Sequence, residues 1–490
     1  MFAFFLSSGL FLGWSLGAND ASNVFGTAVG TRMLRFRTAA IFCSIFVILG
    51  AVISGAGASH TLGKLGSVNA VAGAFIVAFA AAMSVYLMTL ARYPVSTSQA
   101  IVGAIIGWNL FSGSLTDYNS LTKIVVTWVA CPVLSAFIAV VLYKLIVFCI
   151  KRSKIHMFKL DGMTRYGLLL AGVFGSYSLG ANNIANVMGV FVPVSPFSDI
   201  SIFGMFNLTS AQQLFFIGGV AIAVGVFTYS KRVMMTVGEG IIELSPVAAF
   251  VAVWSHSVVL FLFSSQGLEA FLIRHGLPSI PLVPVSSSQA IVGAVIGMGL
   301  LKGGKGIRWR VVGGITSGWI STPIIAALIS FICLFFLQNV FQQKTYRPVS
   351  YVLTIEAMER IRSTGISTDK LNDLFGKDFS TAAGFKKALS EHVTLTPDEQ
   401  DVIMTSAEMD EMDVSQVKIS KLSAGWFTEE QKKALHELEG REFIHKWQLN
   451  EALAEISPQW RFMENDKGHN KNLQNKLSHI YRFFRYENDY

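Results

Sequence analysis

The chain has 490 residues, 52% of them hydrophobic and 14% charged, with a formal net charge of +8. A soluble domain usually carries about 25% charged residues. So few charges on so long a chain cannot cover an aqueous surface, and lipid is the expected solvent. Residues 1–344 hold 20 Lys and Arg against 7 Asp and Glu, whereas residues 345–490 hold 19 against 24. A hydrophobic, basic region therefore gives way at Lys344 to a polar, acidic one. Most of the basic residues of the first region lie in short loops between apolar runs, which excludes nucleic acid as the reason for them.

The first apolar run, Met1–Leu16, has no positive start and leads straight into a polar motif rather than a cleavage site, so no cleavable signal is expected; the polar-interrupted stretch continues to Val29. Long runs follow at Thr38–Ser59, Val68–Ala91, Ile124–Ile150, Tyr166–Ser198, Ile200–Ser230, Ile241–Phe263 and Val311–Gln343, with a polar-interrupted stretch at Pro94–Phe111. A membrane helix needs roughly 20 apolar residues. Period-two alternation is absent, so the expected spans are helices and not barrel strands. Cys43, Cys131, Cys149 and Cys333 all fall inside these runs with no metal or redox spacing, and read as small apolar residues. Beyond Lys344 the chain looks helical and soluble. Thr396–Glu399 and Thr428–Gln431 read as capping boxes. Glu408, Asp410, Glu411 and Asp413 lack the spacing of a calcium loop and are expected on a solvated helix face.

The chain repeats itself. GANDASN at 17–23 returns as GANNIAN at 180–186, PVSTSQAIVG at 94–103 as PVSSSQAIVG at 284–293, and WVACP at 128–132 as WISTP at 319–323. Thr61–Phe75 also aligns without a gap on Thr236–Phe250. The loop after the first GAN motif holds Arg32, Arg35 and Arg37, while its counterpart near Asp199 holds no base. The loop after PVSTSQ, near Asp117 and Lys123, is neutral, while its counterpart holds Lys302, Lys305, Arg308 and Arg310. Lys and Arg favour the cytoplasmic side, so equivalent loops face opposite sides and the repeats are inverted. The expected organisation is a first transmembrane repeat at 1–150, a cytoplasmic linker at 151–165, a second, inverted repeat at 166–343, and a soluble, mostly helical domain at 344–490. Five crossings per half would place both termini outside, although Val311–Gln343 is long enough for an extra crossing or a bend. The fold class is an all-α integral membrane protein of two inverted-topology repeats with broken or re-entrant helices, plus the C-terminal domain. Such repeats are a signature of secondary transporters.

The polar motifs carry the chemistry. Asn19, Asp20 and Asn23 sit in an apolar run, and an aspartate at membrane depth is expected to face a cavity and have a partner. Gly17 and Ala18 let the backbone unwind or approach another helix closely. In the second copy, Asn182, Asn183 and Asn186 are all neutral. Ordinary helix–helix packing explains the glycines and alanines, but not the return of the motif with its spacing intact. After each PVS proline come three hydroxyls, Ser96, Thr97 and Ser98, then Ser286, Ser287 and Ser288. Beside unpaired N–H groups at a helix start they form a donor-rich pocket for an oxyanion. Two such pockets facing each other would grip a tetrahedral anion from both sides. An anion moving inward against a negative potential needs a companion cation. Asp20 and the amides of Asn19, Gln99, Asn182 and Gln289 offer oxygen ligands for sodium, with a proton on Asp20 as the rival driver. Glu239 and Glu243 read as ion-path residues or as acids at a helix start. His60 and His256 are isolated. GLLKGGKG at 299–306 fails as a nucleotide loop because Gly306 stands where Ser or Thr must bind magnesium. No nucleophile–base pair or metal spacing marks an enzyme.

Over residues 1–343 these motifs resemble the inorganic phosphate transporter family, which carries a GANDVAN-type and a PVSTT-type motif in each of two inverted halves. The resemblance implies phosphate symport with sodium or protons in the cell (inner) membrane, and a homodimer. It implies phosphate contacts at Asp20, Asn23, Ser96, Thr97, Asn183, Asn186, Ser286 and Ser287, joined by the neighbouring hydroxyls Ser98 and Ser288. It places Asn19, Asp20, Gln99, Asn182 and Gln289 near the cation. The chain departs from the pattern at Asn183, where aspartate is usual, and at Ser98-Gln99 and Ser288-Gln289, where Thr-His is common. A sulfate or other oxyanion permease of the same fold, and a membrane anion receptor that does not transport, remain alternatives.

Overall fold

The computed structural model describes residues 2–485 except 67, 91–94, 154, 198–199, 203–205, 232, 235–243, 302, 305, 421, 423–426 and 465. Pro94, Asp199, Glu239, Glu243, Lys302, Lys305 and the side chain of His60 lie outside the described residues. The first half of the apolar region forms α1 (Phe2–Gly30), α2 (Phe36–Ser54), α3 (Ala56–Leu65), α4 (Val71–Leu90), α5 (Thr97–Ser112) and α6 (Tyr118–Ser153). The second forms α7 (Met157–Met188), α8 (Ser210–Thr228), α9 (Pro246–Ser264), α10 (Gln266–Arg274), α11 (Ser287–Leu301) and α12 (Trp309–Asn339). Among the described residues, seven of these (α1, α2, α4, α6, α8, α9 and α12) are long and apolar enough to cross a membrane. The chain is thus a multi-pass, mostly helical membrane protein. Its outward side chains agree: Val129, Val133 and Phe137 on α6, and Ile320, Ile324 and Leu328 on α12, form exposed apolar stripes that water would not tolerate.

Of the two readings left open for the run to Gln343, the extra crossing is not made: Trp309–Asn339 is one helix with Pro323 inside it. One expectation about the apolar runs is corrected. The run expected from Ile200 is not helical at its start: Ile200–Ile202 pairs antiparallel with Phe206–Leu208. Its helix begins only at Ser210, where Thr209 and Gln212 close a capping box.

The helices meet at glycines. A Cβ on Gly17 of α1 would lie 2.0 Å from the Ile222 carbonyl oxygen of α8, and one on Gly180 of α7 would lie 2.1 Å from the Val47 carbonyl of α2. A Cβ on Gly103 of α5 would lie 2.1 Å from the Pro323 carbonyl of α12, and one on Gly293 of α11 would lie 2.2 Å from the Pro132 carbonyl of α6. Real Cβ contacts fall at about 3.4–4 Å, so only glycine permits these approaches. Every pair joins one half of the apolar region to the other, and the pairs match position for position under the sequence repeat.

Residues 351–485 pack as two separate hydrophobic clusters, one around Phe385 and one around Trp460. Both expected capping boxes are made, at Thr396 with Glu399 and at Thr428 with Gln431. The acidic patch is not a solvated helix face. Its helix ends at Ala407, Met412–Asp413 forms a short strand with Glu442–Phe443, and Asp410 is buried. Asp410 accepts from Arg485 Nε at 2.5 Å and lies 3.4 Å from Lys446 Nζ, so paired cations offset its loss of water. The same strand-to-helix segment occurs twice: GKDF at 376–379 and GREF at 440–443 each precede an eleven-residue helix, and Gly376 and Gly440 both hold positive φ, 67° and 79°. The tail touches the end of α5, where Ala383 N donates to Gly113 O at 3.1 Å.

Candidate functional site

Both GAN motifs lie inside unbroken helices, α1 and α7. The expected break at these motifs is absent; of the two uses open to Gly17, close approach to α8 is the one realised, and the i→i−4 ladder continues through it. The PVS motifs do open short helices. Ser96 caps α5, its Oγ accepting from Gln99 N at 3.3 Å, and Ser286 Oγ accepts from Gln289 N at 3.2 Å at the start of α11. At 16 and 15 residues, α5 and α11 are too short to span a hydrocarbon core of roughly 30 Å. Their polar starts are consequently held inside the bundle.

Within each half, an asparagine of the GAN motif fixes the residue before the PVS helix. Asn19 Nδ2 donates to Val95 O at 3.2 Å and to Asp20 Oδ1 at 3.1 Å. Asn182, at the equivalent place, donates to Val285 O at 2.8 Å and accepts from Val285 N at 3.0 Å. Val95 and Val285 occupy the same position of the repeated motif.

A second set of bonds joins the halves. Asn23 Nδ2 donates to Ser287 Oγ at 3.1 Å, and Asn186 Nδ2 donates to Ser98 Oγ at 2.8 Å. Ser98 Oγ in turn donates to Val285 O at 3.0 Å. Asn186 also reaches Asn183 Oδ1 at 2.9 Å, and Ser286 Oγ lies 3.1 Å from Ser288 Oγ. All four polar motifs are therefore tied together, Asn23 and Ser287 across 264 residues of sequence. Every candidate residue from Asn19 to Gln289 is at most 4% exposed.

The network is incomplete. Thr97 Oγ1, Gln99 Oε1, Asn183 Nδ2, Asn186 Oδ1 and Gln289 Oε1 are buried and make no hydrogen bond among the described residues. A buried polar atom left unpaired costs about 1–3 kcal/mol, and a cluster of them is the composition of a site built for a polar guest. Asp20 is the only buried Asp or Glu of α1–α12 among the described residues, and no Lys or Arg is buried there. The site thus combines one carboxyl group with neutral donors and acceptors.

Sequence reasoning missed one member. His256 of α9 is fully buried, and its Nε2 lies 2.9 Å from Ser287 Oγ. The repeat holds a signal for it: extending the alignment of Thr61–Phe75 on Thr236–Phe250 sets His256 opposite Ala81, a polar residue replacing an apolar one inside a membrane run.

The chain is also similar to known proteins. The sequence model of the phosphate transporter family matches residues 16–330 and, in a second match, 279–485. A candidate phosphate permease of Methanocaldococcus jannaschii is 30% identical over 317 residues, covering 65% of this chain and 91% of that protein. The chloroplastic inorganic phosphate transporter 2-1 of Arabidopsis thaliana is 23% identical over 429 residues, covering 66% and 70%. The solved structure of a sodium-dependent phosphate transporter has the same fold, with a TM-score of 0.55 and 23% identity over 69% of this chain and 99% of that one. The chain therefore belongs to the phosphate transporter family, and is a transporter rather than an enzyme.

Proposed function

We propose that the protein imports inorganic phosphate by symport with a cation, sodium or a proton, through alternating access around the motif network. The observation that carries this reading is the pair of bonds across the halves, Asn23 to Ser287 and Asn186 to Ser98. Entry of an oxyanion exchanges these internal bonds for bonds to its oxygens from the Ser96–Ser98 and Ser286–Ser288 hydroxyls, assisted by Asn23, Asn183 and Asn186. Asp20 accepts the proton that phosphate still carries near neutral pH, whereas sulfate offers none and is repelled. The same carboxylate, with the amide oxygens of Asn19, Asn182, Gln99 and Gln289, ligates the cation that offsets the anion's charge.

The paired glycine contacts support inverted repeats at 1–150 and 166–343, since each contact has a counterpart with the halves exchanged. Such halves rock about a fixed midplane site. Family resemblance supports a homodimer in the cell membrane. The absence of any apolar run beyond Lys344 supports a soluble domain at 344–490 with a regulatory or assembly role.

Uptake of radiolabelled phosphate into proteoliposomes tests the reading. An inward sodium or proton gradient is expected to raise initial uptake at least tenfold over the no-gradient control, and excess sulfate is expected to leave it within twofold. Saturable phosphate binding without flux would favour a receptor, and inhibition by equimolar sulfate would favour a general oxyanion permease.

A further inference from the structure

We infer that His256 is a positioning residue that makes Ser287 the fixed hydroxyl donor to the transported anion, an assignment that rests on the phosphate reading above. Ser287 Oγ offers one hydrogen and two lone pairs. Asn23 Nδ2, which only donates, occupies one lone pair. What Ser287 can offer an anion then depends on its second partner, His256 Nε2, at 2.9 Å. If the imidazole accepts, the serine hydrogen points at the imidazole and none remains for the anion. If the imidazole donates, both lone pairs are filled and the hydrogen is free.

The surroundings of the ring select the second arrangement. His256 Nδ1 is buried and makes no hydrogen bond among the described residues. With the proton on Nε2, the bare Nδ1 is an unpaired acceptor; with the proton on Nδ1, a buried N–H would be stranded, the rarer situation in folded proteins. His256 Nε2–H therefore donates to Ser287, and the Ser287 hydroxyl hydrogen stays free for the anion whether Asn23 keeps its bond or turns to the anion itself.

The first half of the chain shows the site without this device. Thr97 is the repeat equivalent of Ser287, and Ala81, fully buried, stands where His256 does. Thr97 Oγ1 makes no hydrogen bond among the described residues. The two halves consequently present unlike hydroxyls: a pre-oriented one on α11 and an unrestrained one on α5. Anion affinity rests more on the second half.

Steady-state phosphate uptake in proteoliposomes, with KM and maximal rate separated, tests this. His256→Ala is expected to raise KM about tenfold, the scale of one hydrogen bond to a charged group, and to leave the maximal rate within about twofold. His256→Gln, whose amide nitrogen reaches the place of Nε2, is expected to hold KM within about threefold of wild type. His256→Asn, which is too short, is expected to behave as the alanine variant. In a Ser287→Ala background, His256→Ala is expected to add less than twofold, because the two act as one unit. An unchanged KM in His256→Ala, or equal losses in the glutamine and asparagine variants, would overturn the inference while wild-type uptake leaves the transport reading standing. If His256→Ala does not fold, the glutamine–asparagine comparison decides alone. Wild-type protein without phosphate uptake would remove both.

Discussion

Replacing Asp20 with Asn is expected to reduce cation-driven phosphate uptake by about a hundredfold, with the protein still folded. The change keeps the shape of the side chain and its bond to Asn19, so packing has little reason to fail. What it removes is the only buried carboxylate that the described residues place in α1–α12. Truncating one member of a buried charge pair costs about 2–5 kcal/mol, and about 2.7 kcal/mol corresponds to a hundredfold change. The second half cannot compensate, because its equivalent residue is already Asn183. The measurement is initial uptake of radiolabelled phosphate under a cation gradient, with size-exclusion profiles to check folding. A variant that retained half the wild-type rate would show that neither the cation nor the anion uses Asp20.

Gly17→Ala and Gly180→Ala are expected to lower thermal stability by about the same amount. A Cβ at either place meets a backbone carbonyl near 2 Å, on α8 and on α2 respectively. A carbonyl cannot swing aside as a side chain can, so the two helices must part. Overpacking of this kind costs about 1–3 kcal/mol, which in a chain of this size moves the midpoint by about 1–3 °C for each variant. Gly162→Ala, with nothing within 4 Å of the new Cβ, is the control and is expected to melt with the wild type. Equal midpoints for all three variants would mean that α1 and α8, and α7 and α2, are not in direct contact in the folded protein.

Much of the site was legible because it was written twice. Asn23 and Asn186, or Ser98 and Ser288, are individually ordinary polar residues; their return at fixed spacing inside apolar runs marks them in the sequence alone. His256 was not legible in the same way because it has no twin, and its meaning appears only when α9 sets it beside Ser287. Register was hidden as well. Spacing cannot tell that Asn23 reaches Ser287 rather than a serine of its own half, since that depends on how α1 packs on α11. Continuity through the GAN motifs also escaped sequence reading, because Gly17 serves equally for unwinding and for close approach, and only the position of Ile222 decides. In the tail, local signals worked and long-range ones failed. The boxes at Thr396 and Thr428 follow from residues three apart, whereas the burial of Asp410 depends on Arg485, 75 residues away. The duplicated GKDF and GREF segments share too few identical residues to stand out without their common strand and glycine geometry.

The whole account depends on the two PVS helix starts receiving one anion between them. A density map of the protein in lipid nanodiscs with phosphate and sodium examines this directly. The account predicts tetrahedral density within hydrogen-bonding distance of at least one hydroxyl from Ser96–Ser98 and one from Ser286–Ser288, with the Asn23–Ser287 and Asn186–Ser98 bonds lengthened or broken. Phosphate density held by one motif alone, or lying elsewhere in the bundle while both cross-half bonds persist, would contradict it.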